Sequence, residues 1–377
     1  MPTYGKILGD KPSNNSTHTR KVDNNFSPNR ITIPEKELLI FFRQLAVILQ
    51  SGVPLAQGIE LLSENTNNKK FAAIQIPISS RISSGEELSE CLRKYPKIFT
   101  EIIIGLIQAG EAGGILDKVL DRIATLIEEQ SKIKSQIQGA LIYPVIILVL
   151  AVTVSLGLLI FIVPTFDKMF KDMGAELPAL TEFMLTLSRM VTSPIYIVIG
   201  ILIILFSLYI FRNYYKTRSG RFNIDSLILK TPLFGPLILR SEVASMCDTL
   251  ATLLDSGIIL VDAIDRCISA TSNDRIKKCL RNAIQKVQEG QELSSSMTTY
   301  DVFPKLVISM IKIGEETGRL SFMADNMAIF YKREVENAVS SLTKAMEPIV
   351  IIVVAGIVGT IVVALYLPMY KMISVMG

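Results

Sequence analysis

Two short stretches set a carboxylate in a frame of glycines: GEAGGIL at residues 110–116 and GEETGRL at 314–320. Glu111 and Glu315 are therefore the first residues to weigh for chemistry. A glutamate framed this way can be a catalytic group, a ligand to a hard cation, or part of a turn between helices. Asp117 and Asp121 stand close to Glu111 and would enlarge an oxygen-ligand set for such a cation. The matching positions of the second stretch are Ser321 and Asp325, so the acidic cluster is not reproduced. No metal site is expected, and Glu111, Asp117 and Asp121 are its only candidates. The turn reading fits the glycines best. Gly110, Gly114, Gly314 and Gly318 supply close approach and positive backbone torsions, with Leu116 and Leu320 closing each motif. The glutamates then either satisfy backbone donors at the start of the following helix or contact a partner.

Other reactive groups are sparse. The only histidine, His18, lies in a polar stretch, and Cys91, Cys247, Cys267 and Cys279 show no paired spacing. Zinc needs about four closely spaced Cys/His ligands, so these cysteines read as buried, reduced thiols. There is no GxxxxGK[ST] loop to cradle phosphates. No cofactor is expected. A net charge of +4 spread along 377 residues argues against nucleic acid as a partner.

The elements that must position these groups are helices. Leu38, Leu39, Phe42, Leu45, Ile48 and Leu49 recur at three- and four-residue spacing. Gly52 and Pro54 end that helix, and Leu55, Ile59 and Leu62 continue the stripe on a second. Phe71, Ile74, Ile78 and Ile82 mark a third, which Pro77 should kink or split. Ser84 with Glu87 fits a capping box opening a short fourth helix. Residues 97–109 form a fifth, and a sixth starts near 115.

The apolar content collects in three uncharged blocks: 140–163, 194–211 and 348–370. A helix needs roughly 20 apolar residues to cross a hydrocarbon core of about 30 Å, and none of the blocks has a polar face. All three read as membrane spans, covered by the lipid bilayer. Orientation follows the basic flanks. Arg212, Lys216, Arg218, Arg221 and Lys230 follow the second span, and Lys132 and Lys134 precede the first. Between the first two spans, Asp167, Asp172, Glu176 and Glu182 outweigh Lys168, Lys171 and Arg189. The basic sides belong in the cytoplasm.

The repeated heptad belongs to a longer duplication. LAVILQSG (45–52) matches LATLLDSG (250–257), ending on Gly52 and Gly257. SSGEELSE (83–90) lies opposite QEGQELSS (288–295). The register runs on into the membrane, where Pro144 corresponds to Pro348 and Pro164 to Pro368. Each unit is a helical domain plus the span that follows it, and the second span has no counterpart.

In this arrangement the chain resembles the inner-membrane platform proteins of type II secretion and type IV pilus machines, the GspF/PilC family. FRQLAVILQSGVPLAQGI (42–59), GEAGGILDKVLDRIA (110–124), ALIYPVII (140–147) and ELPALTEFML (176–185) carry the likeness, with GEETGRL and MEPIVI in the second copy. The resemblance implies an all-α membrane protein with two homologous six-helix cytoplasmic bundles, three transmembrane helices and no enzymatic activity. Its implied partners are the cytoplasmic assembly ATPase, other inner-membrane platform proteins, and pilin or pseudopilin subunits, with homo-oligomers expected. The chain then divides into a flexible polar N-terminal tail (1–34), a first cytoplasmic domain (35–139), a first span (140–163), a periplasmic loop (164–193), a second span (194–211), a second cytoplasmic domain (212–347), a third span (348–370) and a short periplasmic C-terminus (371–377). The polar tail replaces the ordered leading segment common in the family, and Pro77 breaks a helix that the family pattern leaves continuous.

Two other classes fit less well. A prepilin peptidase needs acidic residues at the membrane, and the spans have none. A transporter or channel usually carries ionisable groups in the bilayer, each costing about 2.5–3.5 kcal/mol to insert. These spans lack them all.

Overall fold

A computed structural model describes residues 32–165, 168, 179–232, 234–298 and 302–376. Every regular element among them is helical. Most of the polar tail, residues 1–31, lies outside the described residues.

Helix α1 (Glu35–Gln50) buries the stripe Leu38, Phe41, Phe42, Leu45 and Ala46. Phe41 and Phe42 meet Phe71 and Phe99 edge-on, at centroid distances of 5.3 and 6.1 Å. Burial of each such side chain contributes about 1.5–3 kcal/mol. The chain leaves α1 through Gly52, whose φ of +82° only glycine adopts without strain, and Pro54 leads into α2 (Leu55–Asn65). Asn68 caps α3 (Lys69–Ser83) by accepting the N–H groups of Lys70 and Phe71. Pro77 does not split α3, which stays one helix around it. Proline removes one ladder bond, and burial of Ile74, Gln75, Ile78 and Ser79 on both sides of it holds the helix together.

Helix α4 (Leu88–Arg93) does not open with the expected capping box. The Ser84 hydroxyl turns back onto the carbonyls of Ser80 and Arg81, and Glu87 makes no side-chain cap. The donors at the start of α4 are satisfied from farther along the chain. Tyr95 to Thr100 form a turn with Ile98 and Phe99 buried, so α5 (Glu101–Gly113) begins a turn later than its apolar run. The sixth helix, α6 (Leu116–Gly157), leaves the domain and carries the first apolar block without a break at the buried Pro144. A π-helical turn, Leu158–Ile162, extends it.

The connection to the second span is not all loop. It contains α7 (Ala179–Thr192), an amphipathic helix that buries Thr181, Met184, Leu185 and Ser188. Helix α8 (Pro194–Lys216) is the second apolar block, and none of its residues is buried. Helix α9 (Arg218–Lys230) follows. The second unit then runs α10 (Phe234–Asp255), α11 (Leu260–Ala270), α12 (Asp274–Gln288), α13 (Leu293–Thr298), α14 (Lys305–Thr317) and α15 (Leu320–Met376). Helix α15 carries the third block, with Pro348 and Pro368 inside it. Among the described residues, three helices are long and apolar enough to cross a membrane.

The duplication is written in the backbone. The positive-φ glycines among the described residues form three pairs: Gly52 with Gly257, Gly85 with Gly290, and Gly114 with Gly318. Asn273 caps α12 as Asn68 caps α3. Both units share one continuous buried core, with α6 packed along α15 and α5 against α11.

Candidate functional site

The two glycine-framed glutamates occupy the same post in both units. Glu111, in the last turn of α5, accepts the backbone N–H of Leu88 at 2.5 Å and of Ser89 at 3.3 Å. Glu315, in the last turn of α14, accepts those of Leu293 at 2.5 Å and Ser294 at 3.0 Å. Each carboxylate therefore caps the short helix α4 or α13, not the long helix that follows it. The cap is charge-assisted and closes the loop between the short helix and the turn.

The glycines explain the rest of the motif. A Cβ on Gly110 would stand 3.0 Å from Val119, and one on Gly314 would stand 2.9 Å from the Leu320 Cα. The first glycine of each motif lets α5 lie against α6, and α14 against α15. Gly114 and Gly318 are left-handed, with φ of +65° and +66°. Ile115 and Arg319 then donate to the carbonyls of Gly110 and Gly314 at 3.0 and 2.9 Å, a Schellman closure. Leu116 and Leu320 are the first residues of the long helices.

The acidic neighbours go elsewhere. Asp121 pairs with Arg43 at 2.5 Å, and Arg43 also reaches Glu128 at 2.8 Å. Among the described residues no group of three metal-ligating side chains comes together, so Glu111, Asp117 and Asp121 do not form a set. All four cysteines are buried and free. Burial pushes the Cys247 thiol up to about 12 and that of Cys279 to about 11, which removes thiolate chemistry from both.

A network of ion pairs lies at the seam between the units. In the first unit Arg43 faces Asp121 and Glu128. The matching positions of the second are Asp248, Asp325 and Lys332, so the Arg43–Glu128 pair of α1 and α6 recurs as Asp248–Lys332 in α10 and α15 with its polarity reversed, while Asp325 keeps the charge of Asp121. Arg122 crosses from α6 to Thr252 at 3.0 Å and to Asp248 and Asp325 at 3.9 Å. Lys332 answers from α15, bonding Asp248 at 3.0 Å and Glu129 across the seam. Lys132 and Gln136 meet Glu336 at 3.3 and 3.1 Å, closer to the apolar blocks. Burial raises the Asp248 carboxyl above its ordinary range, while Lys332 and Arg122 draw it back. A groove of about 950 Å³ opens beside the seam, lined by Leu38, Ile102, Ile103, Leu126 and Ile127 and, opposite, Glu242.

A second duplicated carboxylate escaped the sequence reading. Glu242 accepts the N–H groups of Ser272 and Asn273, and its counterpart Glu37 accepts the side-chain amide of Asn68. The same spacing that relates Gly52 to Gly257 relates these pairs, and would have found them. The seam residues Arg122 and Lys332 carry no such signal, because their own counterparts are Asn326 and Glu128.

Comparison with known proteins matches this layout. The family described as Type II secretion system (T2SS), protein F, matches twice, over residues 41–164 and 246–368. A Type IV pilus assembly protein PilC of Thermus thermophilus is 40% identical over 91% of this chain and 84% of its own. That of Pseudomonas aeruginosa is 38% identical over 90% and 91%. A Type II secretion system protein F of Vibrio cholerae is 29% identical over 92% and 84%. The chain belongs to the type II secretion protein F family, which includes the PilC proteins.

Proposed function

We propose that this chain is a non-enzymatic platform in a bacterial inner membrane, on which a type IV pilus or a type II secretion pseudopilus is assembled. One observation carries the reading. Each unit ends in a helix that runs unbroken into an apolar block: α6 over Leu116–Gly157 and α15 over Leu320–Met376. A rigid helix of this kind transmits a displacement from a soluble domain to the bilayer, and the charged seam ties the two helices together. The greater identity to proteins named for pilus assembly supports the pilus over the secretion machine.

In this reading residues 35–139 and 212–347 are two six-helix cytoplasmic bundles, and the segment 164–193 lies on the far side of the membrane, as the basic flanks support. The bundles receive the assembly ATPase, the spans meet pilin or pseudopilin stems and other platform proteins, and the chain forms homo-oligomers. Glu111 and Glu315 serve this role through the short helices they cap and thereby tie to the glycine turns. The exposed part of the motif, from Ala112 to Ile115, is the surface open to a partner.

Deletion of the gene tests the proposal. The expected result is processed pilin-like subunits held in the inner membrane with no filament. The purified protein is expected to bind the cytoplasmic ATPase while hydrolysing no ATP itself. Normal filaments in the deletion strain, with no paralogue present, would overturn it. Reporter fusions at Ala175 and Asn67 test the orientation, and activity outside the cytoplasm is expected for Ala175 alone.

A further inference from the structure

Proline leaves a carbonyl without its partner wherever it stands inside a helix, and in a bilayer no water replaces the lost donor. Pro368 has no N–H for the carbonyl of Ala364, four residues earlier. That carbonyl instead accepts the hydroxyl of Thr181 at 2.7 Å, in a buried contact. The first span solves the same problem by a shift of register. Its π-helical turn bonds the Val163 N–H to the Leu158 carbonyl, five residues back. The next bond in that register would join residue 164 to Leu159, and residue 164 is Pro164. The Leu159 carbonyl accepts the hydroxyl of Ser188 at 2.6 Å, again buried.

Both hydroxyls come from α7. They lie seven residues apart, two turns along one face, with Met184 and Leu185 between them. Those two side chains form a small apolar cluster with Leu159, Val163 and Ala364. The prolines are themselves repeat partners, so one helix that has no copy in the duplication serves the same defect in both copies.

We propose that α7 is a hydroxyl clamp, and that Thr181 and Ser188 are positioning residues that fix the far ends of the first and third spans by occupying the carbonyls orphaned by Pro368 and Pro164. The clamp makes the two repeat-related spans one body at the ends away from the seam. The second span, which has no buried residue, stays outside it. This inference stands apart from the assembly role and does not depend on it.

Two mutant cycles on the full-length protein in detergent micelles test it, with unfolding followed by circular dichroism. Thr181→Val is expected to lower the folding equilibrium by about threefold, and by up to about twentyfold, the range for membrane hydrogen bonds. Thr181→Ser, which keeps the hydroxyl, restores it. Pro368→Ala returns an N–H to the Ala364 carbonyl, so Thr181→Val has little further effect in that background. Ser188→Ala follows the same rule with Pro164→Ala, where α-helical register can resume. A Thr181→Val chain that folds only beside Pro368→Ala also supports the clamp. Equal losses with and without the proline, failure to fold in both backgrounds, or no loss at all in the native chain would overturn it.

Discussion

The Glu111 carboxylate closes on the backbone N–H of Leu88 at 2.5 Å, so the last turn of α5 is pinned to the first turn of α4, 23 residues back in the chain. Glu315 and Leu293 repeat the bond at the same length. A glutamate in a tight turn thus serves a short helix with no cap of its own, which is why the motif is written twice.

Loss of this cap is expected to be measurable. Glu111→Ala leaves two part-buried donors unsatisfied and should cost about 1–3 kcal/mol. Glu111→Gln should cost less, since its amide keeps one acceptor oxygen. Chemical denaturation gives the totals, and hydrogen exchange at the Leu88 and Ser89 amides gives the location. Unchanged exchange there in Glu111→Ala would remove the capping role.

The first and last glycines of the repeated motif should fail for different reasons. Gly114→Ala meets no atom but must hold a left-handed backbone, at about 1–2 kcal/mol. Gly114→Asn should be milder, because asparagine tolerates that region. Gly314→Ala has ordinary helical torsions but drives its Cβ to 2.9 Å from the Leu320 Cα, and asparagine there should be worse than alanine. A common rank order at both sites, read from unfolding midpoints, would contradict this division.

Asp248 should leave a signature in the pH dependence of stability. Its carboxyl is raised first by burial, so the folded chain keeps a proton that the unfolded chain gives up. Stability from this group is full below the unfolded value and declines as pH rises through the folded one. Asp248→Asn should flatten that decline above the ordinary carboxylate range, from about pH 4 upward. Unfolding midpoints of both proteins across mildly acidic pH decide it, and parallel curves would refute the shift.

The cysteines should be silent until the chain opens. Burial holds Cys247 at about 12 and Cys279 at about 11, and it raises Cys91 and Cys267 as well. Alkylation near pH 8 should label none of them in the folded protein, because the thiolate is the reactive form. All four should label in denaturant. Mass spectrometry reads the difference, and rapid labelling of the native chain would show an open core.

Much of this protein follows from its sequence alone. Apolar length sets the spans, and three- and four-residue spacing sets α1 and α2, since both are properties of a one-dimensional pattern. The offset between Gly52 and Gly257 reveals the duplication, because a left-handed residue needs glycine wherever the fold is copied. Tertiary structure alone decided the partners. Nothing local says that Glu111 turns back to α4 and away from α6, or that Ser84 spends its hydroxyl on the end of α3. Pro77 has the local mark of a break, yet burial on both sides of it outweighs one missing bond. The same holds for Arg122 crossing to Asp248, and for Thr181 finding the carbonyl that Pro368 leaves open 183 residues away. Such bonds depend on where helices come to rest against each other, and that is settled only when apolar faces pack and every buried donor and acceptor must be matched.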